Sequence, residues 1–319
     1  MTILISLLLP FILSFLGTAL IIPQLKRYGV IDNPNERSNH KIVTPRGGGI
    51  AIFGAIIISF LAIGIDHSII IATTILAIVS FIDDMRGLSA FWRFLVQFIA
   101  VFLALYNLDI TIFAWLPNFI QLILIALFWL WFINLTNFMD GIDGITSMQI
   151  IIMSVGVCLI ISINPELPET LTLYASVLAA ASLGFYWFNR SPAQVFMGDT
   201  GSITLGFLMG YILIELATSG EFFAAIILPA YYLSDATFTL LKRAWQGKKI
   251  WQSHSEHAYQ QAARSGMSHK QVVDKITLLN ILLILLAIIA TSGPIYGFFA
   301  SIAAYAMTFF FMKKRLISS

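Results

Sequence analysis

Cysteine is almost missing from this chain. Its single copy, Cys158, lies inside the apolar run Ile150–Ile163. A disulfide framework needs pairs and a thiolate metal site needs several ligands, so both are excluded. Charge is scarce as well: Asp, Glu, Lys and Arg make up 11% of the chain, while 59% is hydrophobic. A soluble domain carries roughly 25% charged residues, so the composition is that of a polytopic membrane protein. No long Ser/Gly-rich linker, low-complexity tract or repeat divides it, and residues 1–319 read as one membrane-embedded unit. Met1 to Gln24 lacks a basic leading region, and its apolar stretch is long enough to span. It reads as a retained first transmembrane helix and not as a cleaved signal peptide.

What the chain has in abundance is long apolar runs. A span needs about 20 mostly apolar residues. The expected fold is all-α, with ten or eleven transmembrane helices near 2–23, 47–65, 68–82, 92–107, 119–136, 146–163, 170–188, 202–218, 222–241, 276–292 and 295–312. The loops then alternate between two sides. All eighteen Lys and Arg fall in loops 24–46, 83–91, 137–145, 189–201 and 242–275, in the C-terminal tail, or at the adjoining helix ends. The opposite loops carry acids only, among them Asp109, Glu166, Glu169 and Glu221. By the positive-inside rule the basic side is cytoplasmic, with the N-terminus outside and the C-terminus inside.

Five polar islands lie on that side. The first, Asp32 to His40 followed by Thr44-Pro-Arg-Gly-Gly-Gly49, is either a solvated loop whose glycines begin a helix or a phosphate cradle of backbone amides with Arg46. In the second, Asp83 and Asp84 end an apolar span, and adjacent carboxylates favour a cation or a shared proton. Arg93 and Gln97, four apart, share a helix face and can hold an anion nearby. The third is Asn134-Leu-Thr-Asn-Phe-Met-Asp-Gly-Ile-Asp-Gly144. If it is helical, Asn134, Asn137 and Asp140 form one stripe, with Asp143 one turn beyond Asp140; an ordinary polar turn is the alternative. A calcium loop is not expected, because the EF-hand spacing and its terminal Glu are missing. The fourth, Val195-Phe-Met-Gly-Asp-Thr-Gly-Ser202, frees the Asp199 carboxylate between glycines. Its Phe196 is either a stacking surface for a base or an interfacial anchor. The fifth is His254-Ser-Glu-His257-Ala-Tyr-Gln260, whose two histidines suit a metal, a phosphate or only a basic surface loop.

Acids suited to Mg²⁺ beside bases suited to phosphate are the parts of a phosphoryl-transfer site. At a bilayer surface such a site would join a water-soluble nucleotide to a lipid. The motifs Asp83-Asp84, Asn134-x-x-Asn137-x-x-Asp140-Gly-x-Asp143-Gly, Phe196-Met-Gly-Asp199-x-Gly and His254-x-x-His257 occur in the order seen in polyprenyl-phosphate N-acetylhexosamine-1-phosphate transferases. Asp32-Asn-Pro, Arg37-Ser with His40, and Thr44-Pro-Arg-Gly-Gly match that family's first cytoplasmic loop, so the resemblance runs from about Ile22 to Gly266.

The resemblance implies that undecaprenyl phosphate attacks the β-phosphorus of a UDP-N-acetylhexosamine and releases UMP. It also implies a Mg²⁺ cofactor, with Mn²⁺ as substitute, in a multi-pass protein of the bacterial inner membrane. By the same resemblance Asp199 is the Mg²⁺ ligand and Phe196 the wall for uracil. Asp83 and Asp84 are acids for metal binding or for deprotonating the lipid phosphate. Asp140 and Asp143 are catalytic or nucleotide-positioning acids oriented by Asn134 and Asn137, and Arg46, Arg93, His254 and His257 screen the meeting anions. The late motif is His-Ser-Glu-His, without the runs of histidines of the best-known branches, and the final cytoplasmic loop is modest. Both features resemble the O-antigen-initiating branch of lipopolysaccharide biosynthesis, which uses UDP-N-acetylated deoxyhexosamines such as FucNAc or QuiNAc. Nucleic acid is not an expected partner, and homodimerisation is left open. Two other classes stay in view: a secondary transporter with membrane-buried acids, and a polyprenyl-diphosphate phosphatase.

Overall fold

In lipid, backbone amides have no water to bond, so apolar segments close their own hydrogen bonds as helices. The computed structural model describes residues 1–34, 42–106, 108, 110–249 and 254–313. Within them run α1 (Thr2–Arg27), α2 (Gly49–Ile63), α3 (His67–Arg86), α4 (Ala90–Leu105), α5 (Asn118–Phe138), α6 (Ile145–Ile163) and α7 (Glu169–Asn189). There follow α8 (Gly198–Leu216), α9 (Phe222–Ile227), α10 (Ala230–Trp245), the short α11 (Ala258–Arg264), α12 (His269–Ala290) and α13 (Pro294–Phe311). Between α1 and α2, β1 (Ile31–Asp32) pairs antiparallel with β2 (Thr44–Pro45).

Among the described residues, eight helical stretches are long and apolar enough to cross a membrane, and α2 and α4 are shorter apolar helices. The eighth and ninth expected spans divide differently from the expectation. A π-helical turn over Ala217–Glu221, kinked at Gly220 (φ 102°), carries α8 into α9, so that stretch ends at Ile227. Pro229, which has no N–H to continue a helix, precedes α10. The residues 222–241 are therefore two helices. Helix α12 also begins at His269, about two turns before the expected 276, because Ser268 and Gln271 form a capping box.

The interior is apolar as in a soluble bundle, but the outer face of the helices is apolar too. Helix α1 buries Ser6, Pro10, Ser14 and Thr18 against its neighbours and exposes Leu4, Leu8, Ile12, Leu16 and Leu20. Small residues let helices approach where lipid gives no hydrophobic drive for association. At the centre stands α8, buried nearly end to end among α2, α3, α5, α6 and α7. Its Gly206 and Gly210 let α5 lie close, since a Cβ there would meet Thr136 Cβ at 3.0 Å and Trp129 at 2.6 Å. Trp129 stacks on Phe207 and donates its indole N–H to Phe207 O at 2.9 Å. Helix α8 thereby carries Asp199, in its first turn, to the place where the ends of α3, α4 and α5 also meet.

Candidate active site

Asp83 and Asp84 lie in the last turn of α3 and not in a loop, and the two do different work. The Asp84 side chain has no exposed surface. Its Oδ1 accepts from Asp199 N at 2.9 Å, and its Oδ2 accepts from Thr200 N at 2.9 Å and Thr200 Oγ1 at 2.7 Å. A carboxylate there satisfies the free amides of the first turn of α8 and complements its dipole. Gly198 (φ +73°) makes the approach feasible, because a Cβ would stand 2.8 Å from Asp84 Oδ2. Arg46 closes the arrangement, its Nη2 lying 2.8 Å from Asp84 Oδ1 and 3.1 Å from Asp199 Oδ1.

Asp83 turns the other way. Its Oδ1 accepts from Leu88 N, and its Oδ2 faces Arg93 Nη1 at 3.4 Å. The same Arg93 nitrogen is 3.9 Å from Asp199 Oδ2. Asp83, Arg93, Gln97, Asp199 and Ser80 line one small cavity, so Arg93 and Gln97 do share the face that their spacing predicts. Asn137 donates to Asp199 Oδ1 at 3.1 Å and to Ser202 Oγ at 3.0 Å. Asn134 is engaged elsewhere, donating to Gln97 Oε1 at 2.7 Å. Helix α5 stops at Phe138, so Asp140 lies past its end and the expected three-residue stripe does not form. Burial pushes the Asp140 carboxyl up to about 8, against a hydrogen bond from Thr146 and with the Asp199 charge adding.

The glycines after Arg46 serve packing. Gly48 N donates to Phe196 O at 2.9 Å and Gly49 N to Met197 O at 2.8 Å, which occupies the amides of the phosphate-cradle reading. A Cβ on Gly49 would fall 2.2 Å from Gly201 N. Phe196 N donates to Pro45 O at 2.8 Å, so half-buried Phe196 and Arg46 sit side by side across a parallel bridge. Asp32, on β1, pairs in register with Thr44, whereas Arg37 and His40 lie outside the described residues.

Asp143 is buried and is held by His269 and the 191–193 segment. Its Oδ2 is 3.1 Å from His269 Nδ1 and accepts from Ala193 N at 3.3 Å. Burial raises this carboxyl, but the hydrogen bond and charge of His269, with Ala193 N–H and Ser191, hold it below the usual range. His269 carries no motif signal; only the Ser268–Gln271 helix start marks its position. The His254 and His257 rings lie 4.9 Å apart, but Glu256 between them is drawn off by Arg243 and Lys248. Burial, His257 and Arg243 push His254 down to about 4, so at neutral pH it is an uncharged donor or acceptor and not a cation.

Among the described residues no group of three or more His, Cys, Asp or Glu is gathered into a metal cage. The donor set at Arg93 still fits a hard cation. Two carboxylates, Asp83 and Asp199, converge on one positive group. Mg²⁺ characteristically takes one or two carboxylates, keeps several waters and adds substrate phosphates.

This geometry sits within a known family. A family model described as glycosyl transferase family 4 matches residues 67–217. A Bacillus subtilis (strain 168) protein described as a "probable undecaprenyl-phosphate N-acetylglucosaminyl 1-phosphate transferase" is 31% identical over 309 residues, covering 90% of this chain and 85% of the relative. The chain belongs to glycosyl transferase family 4. Another relative, a phospho-N-acetylmuramoyl-pentapeptide-transferase of Orientia tsutsugamushi (strain Ikeda), is 29% identical over 337 residues, covering 89% of this chain and 91% of its own. The family 4 match begins at α3 and closes at the π-helical turn, so it holds Asp83, Asp84, Arg93, Asn137, Asp140, Asp143 and Asp199. Arg46 and the histidine loop reach this family 4 core from outside the matched segment.

Proposed function

We propose that the chain transfers a sugar-1-phosphate from a UDP-N-acetylhexosamine to undecaprenyl phosphate, releasing UMP and leaving a lipid-linked sugar diphosphate. The observation that carries this reading is the meeting of Asp83, Asp199, Arg46 and Arg93 at the polar ends of apolar helices. The relatives' names and the ordered motifs agree with it. A phosphate oxygen of the acceptor attacks the β-phosphorus. A new P–O–P bond forms, and the bond to UMP breaks with its electron pair on the departing phosphate.

A phosphate monoester anion is already nucleophilic, so the chain mainly aligns and neutralises. Arg46 and Arg93 supply fixed positive charge beside the carboxylates. Asn137 orients Asp199, and Phe196 offers an apolar face to the base. Asp83 holds or relays the acceptor's proton, and His254 donates a neutral hydrogen bond. Asp199 and Asp83 are the residues that would hold Mg²⁺, with Asp84 behind them; the ion would neutralise the diphosphate oxygens. The polar face is assigned to the cytoplasm of a bacterial inner membrane, where UDP-sugars are made. The His-Ser-Glu-His motif and the modest final loop favour a deoxyhexosamine donor such as UDP-FucNAc or UDP-QuiNAc, and an O-antigen role.

The transporter alternative expects ionisable groups lining a path through the bundle, whereas the catalytic acids gather at one set of helix ends and buried Asp235 accepts four hydrogen bonds from Tyr231, Thr239 and the first amides of α11. Proteoliposomes given a panel of UDP-sugars, with and without undecaprenyl phosphate, test the proposal. UMP release that requires the lipid supports it. Release of inorganic phosphate from polyprenyl diphosphate identifies a phosphatase instead. Asp199→Asn is expected to abolish transfer, and near-wild-type turnover in that variant would refute the role of Asp199.

A further inference from the structure

Two buried side chains that take no part in the chemistry above join the histidine loop to the turn that carries Asp140. Asp235, in the middle of α10, has no exposed surface. From its own helix it accepts from Tyr231 Oη at 3.0 Å and Thr239 Oγ1 at 3.3 Å. From the next element it accepts the first two amides of α11, Ala258 N at 2.8 Å and Tyr259 N at 3.3 Å. His257 Nδ1 lies 3.5 Å from its Oδ1. A buried carboxylate is tolerated only when so satisfied, and these contacts fix where α11 starts and how His257 stands.

Tyr259 carries the link onward. Its ring, fully buried, stacks on His257 at 5.8 Å with an interplanar angle of 18°. Its hydroxyl donates to Phe138 O at 2.9 Å, at the last residue of α5 and two before Asp140. The fit leaves no slack, since a Cβ on Gly141 would stand 2.3 Å from Tyr259 Oη. Asp235, α11, Tyr259 and the 138–141 turn thus form one continuous strut between elements more than a hundred residues apart in sequence.

We propose that Asp235 and Tyr259 are positioning residues for the transfer reaction: they clasp the histidine loop onto the aspartate turn, fixing His257 relative to Asp140. The inference rests on the function proposed above. Reacting groups misplaced by about 1 Å lose on the order of 100-fold in rate, so the clasp should be visible in kcat before it is visible in folding.

Tyr259→Phe keeps the ring on His257 and removes only the hydroxyl. Its kcat for UMP release is expected to fall at least tenfold, with KM for the UDP-sugar within twofold and thermal stability in detergent nearly unchanged. Gly141→Ala is expected to slow kcat as well, by pushing the turn off the hydroxyl. The Tyr259→Phe/Gly141→Ala double variant, in which the clashing oxygen is gone, should be faster than Gly141→Ala alone. A fall in kcat at unchanged KM and thermal stability in Tyr259→Phe is what a merely stabilising contact would not produce. Asp235→Asn should lower kcat in the same manner. Wild-type kcat in Tyr259→Phe, or independent multiplicative losses in the double variant, overturns the clasp while leaving the transferase reading intact. If the wild-type protein releases no UMP from any UDP-sugar, the transferase reading and the clasp fall together.

Discussion

Replacing Asp84 with alanine should damage the fold more than replacing Asp83 with asparagine, although the two are neighbours in sequence. Asp84 accepts three hydrogen bonds from the first turn of α8, two from backbone amides and one from Thr200 Oγ1. Each is worth about 1 kcal/mol net, and more when the donor is left buried without a partner. The sum is roughly 3 kcal/mol. The ion pair with Arg46 adds little, because the Arg46 side chain is 37% exposed and water can replace the carboxylate. Asp83→Asn keeps an acceptor for Leu88 N and loses only a long contact to Arg93, which is worth under about 1 kcal/mol. Thermal unfolding in detergent, read beside UMP release, separates the two. Asp84→Ala should unfold several degrees below wild type and lose activity with stability, whereas Asp83→Asn should keep its stability and lose turnover. Wild-type stability in Asp84→Ala would refute the assignment of Asp84 as the cap of α8.

Gly49→Ala should fail to accumulate as folded protein, because the new methyl meets Gly201 backbone at 2.2 Å, and overpacking of this kind costs about 1–3 kcal/mol or more. Gly54→Ala, in the same helix with nothing within 4 Å, should be tolerated; detergent-extracted yield compares them. Burial pushes the Asp140 carboxyl up to about 8 in the folded protein. The unfolded chain releases its proton near the ordinary Asp value of about 3.9, so wild-type stability should fall between those limits and level off above them. Asp140→Asn should remove that slope from a series of melts. For Asp143 the sign reverses: His269 helps hold its pKa low, so their pairing stabilises above about 3.9 and fades as acid protonates the carboxyl. His269→Ala should therefore be less stable than wild type at pH 7, with the gap closing toward pH 3.

The eleven apolar runs, the side on which the basic residues collect and the identity of the polar islands were all readable from order and composition. Each is a local property, fixed by runs of about 20 residues or by motifs a few residues long, and lipid forces such runs into helices regardless of their neighbours. The span expected over 222–241 runs through Pro229, and only packing shows the break there, with the π-helical turn at Gly220 assigning Phe222–Ile227 to the end of α8. The partnerships needed tertiary structure. Asp83 and Asp84 are chemically identical in sequence, and only the arrival of α8, 115 residues later, makes one a helix cap and leaves the other facing Arg93. Likewise His269 meets Asp143 across 126 residues, and Tyr259 meets Phe138 across 121. Side-chain type determines what a residue can bond, but the fold determines which bond is within 3 Å, and sequence periodicity carries no information about that distance.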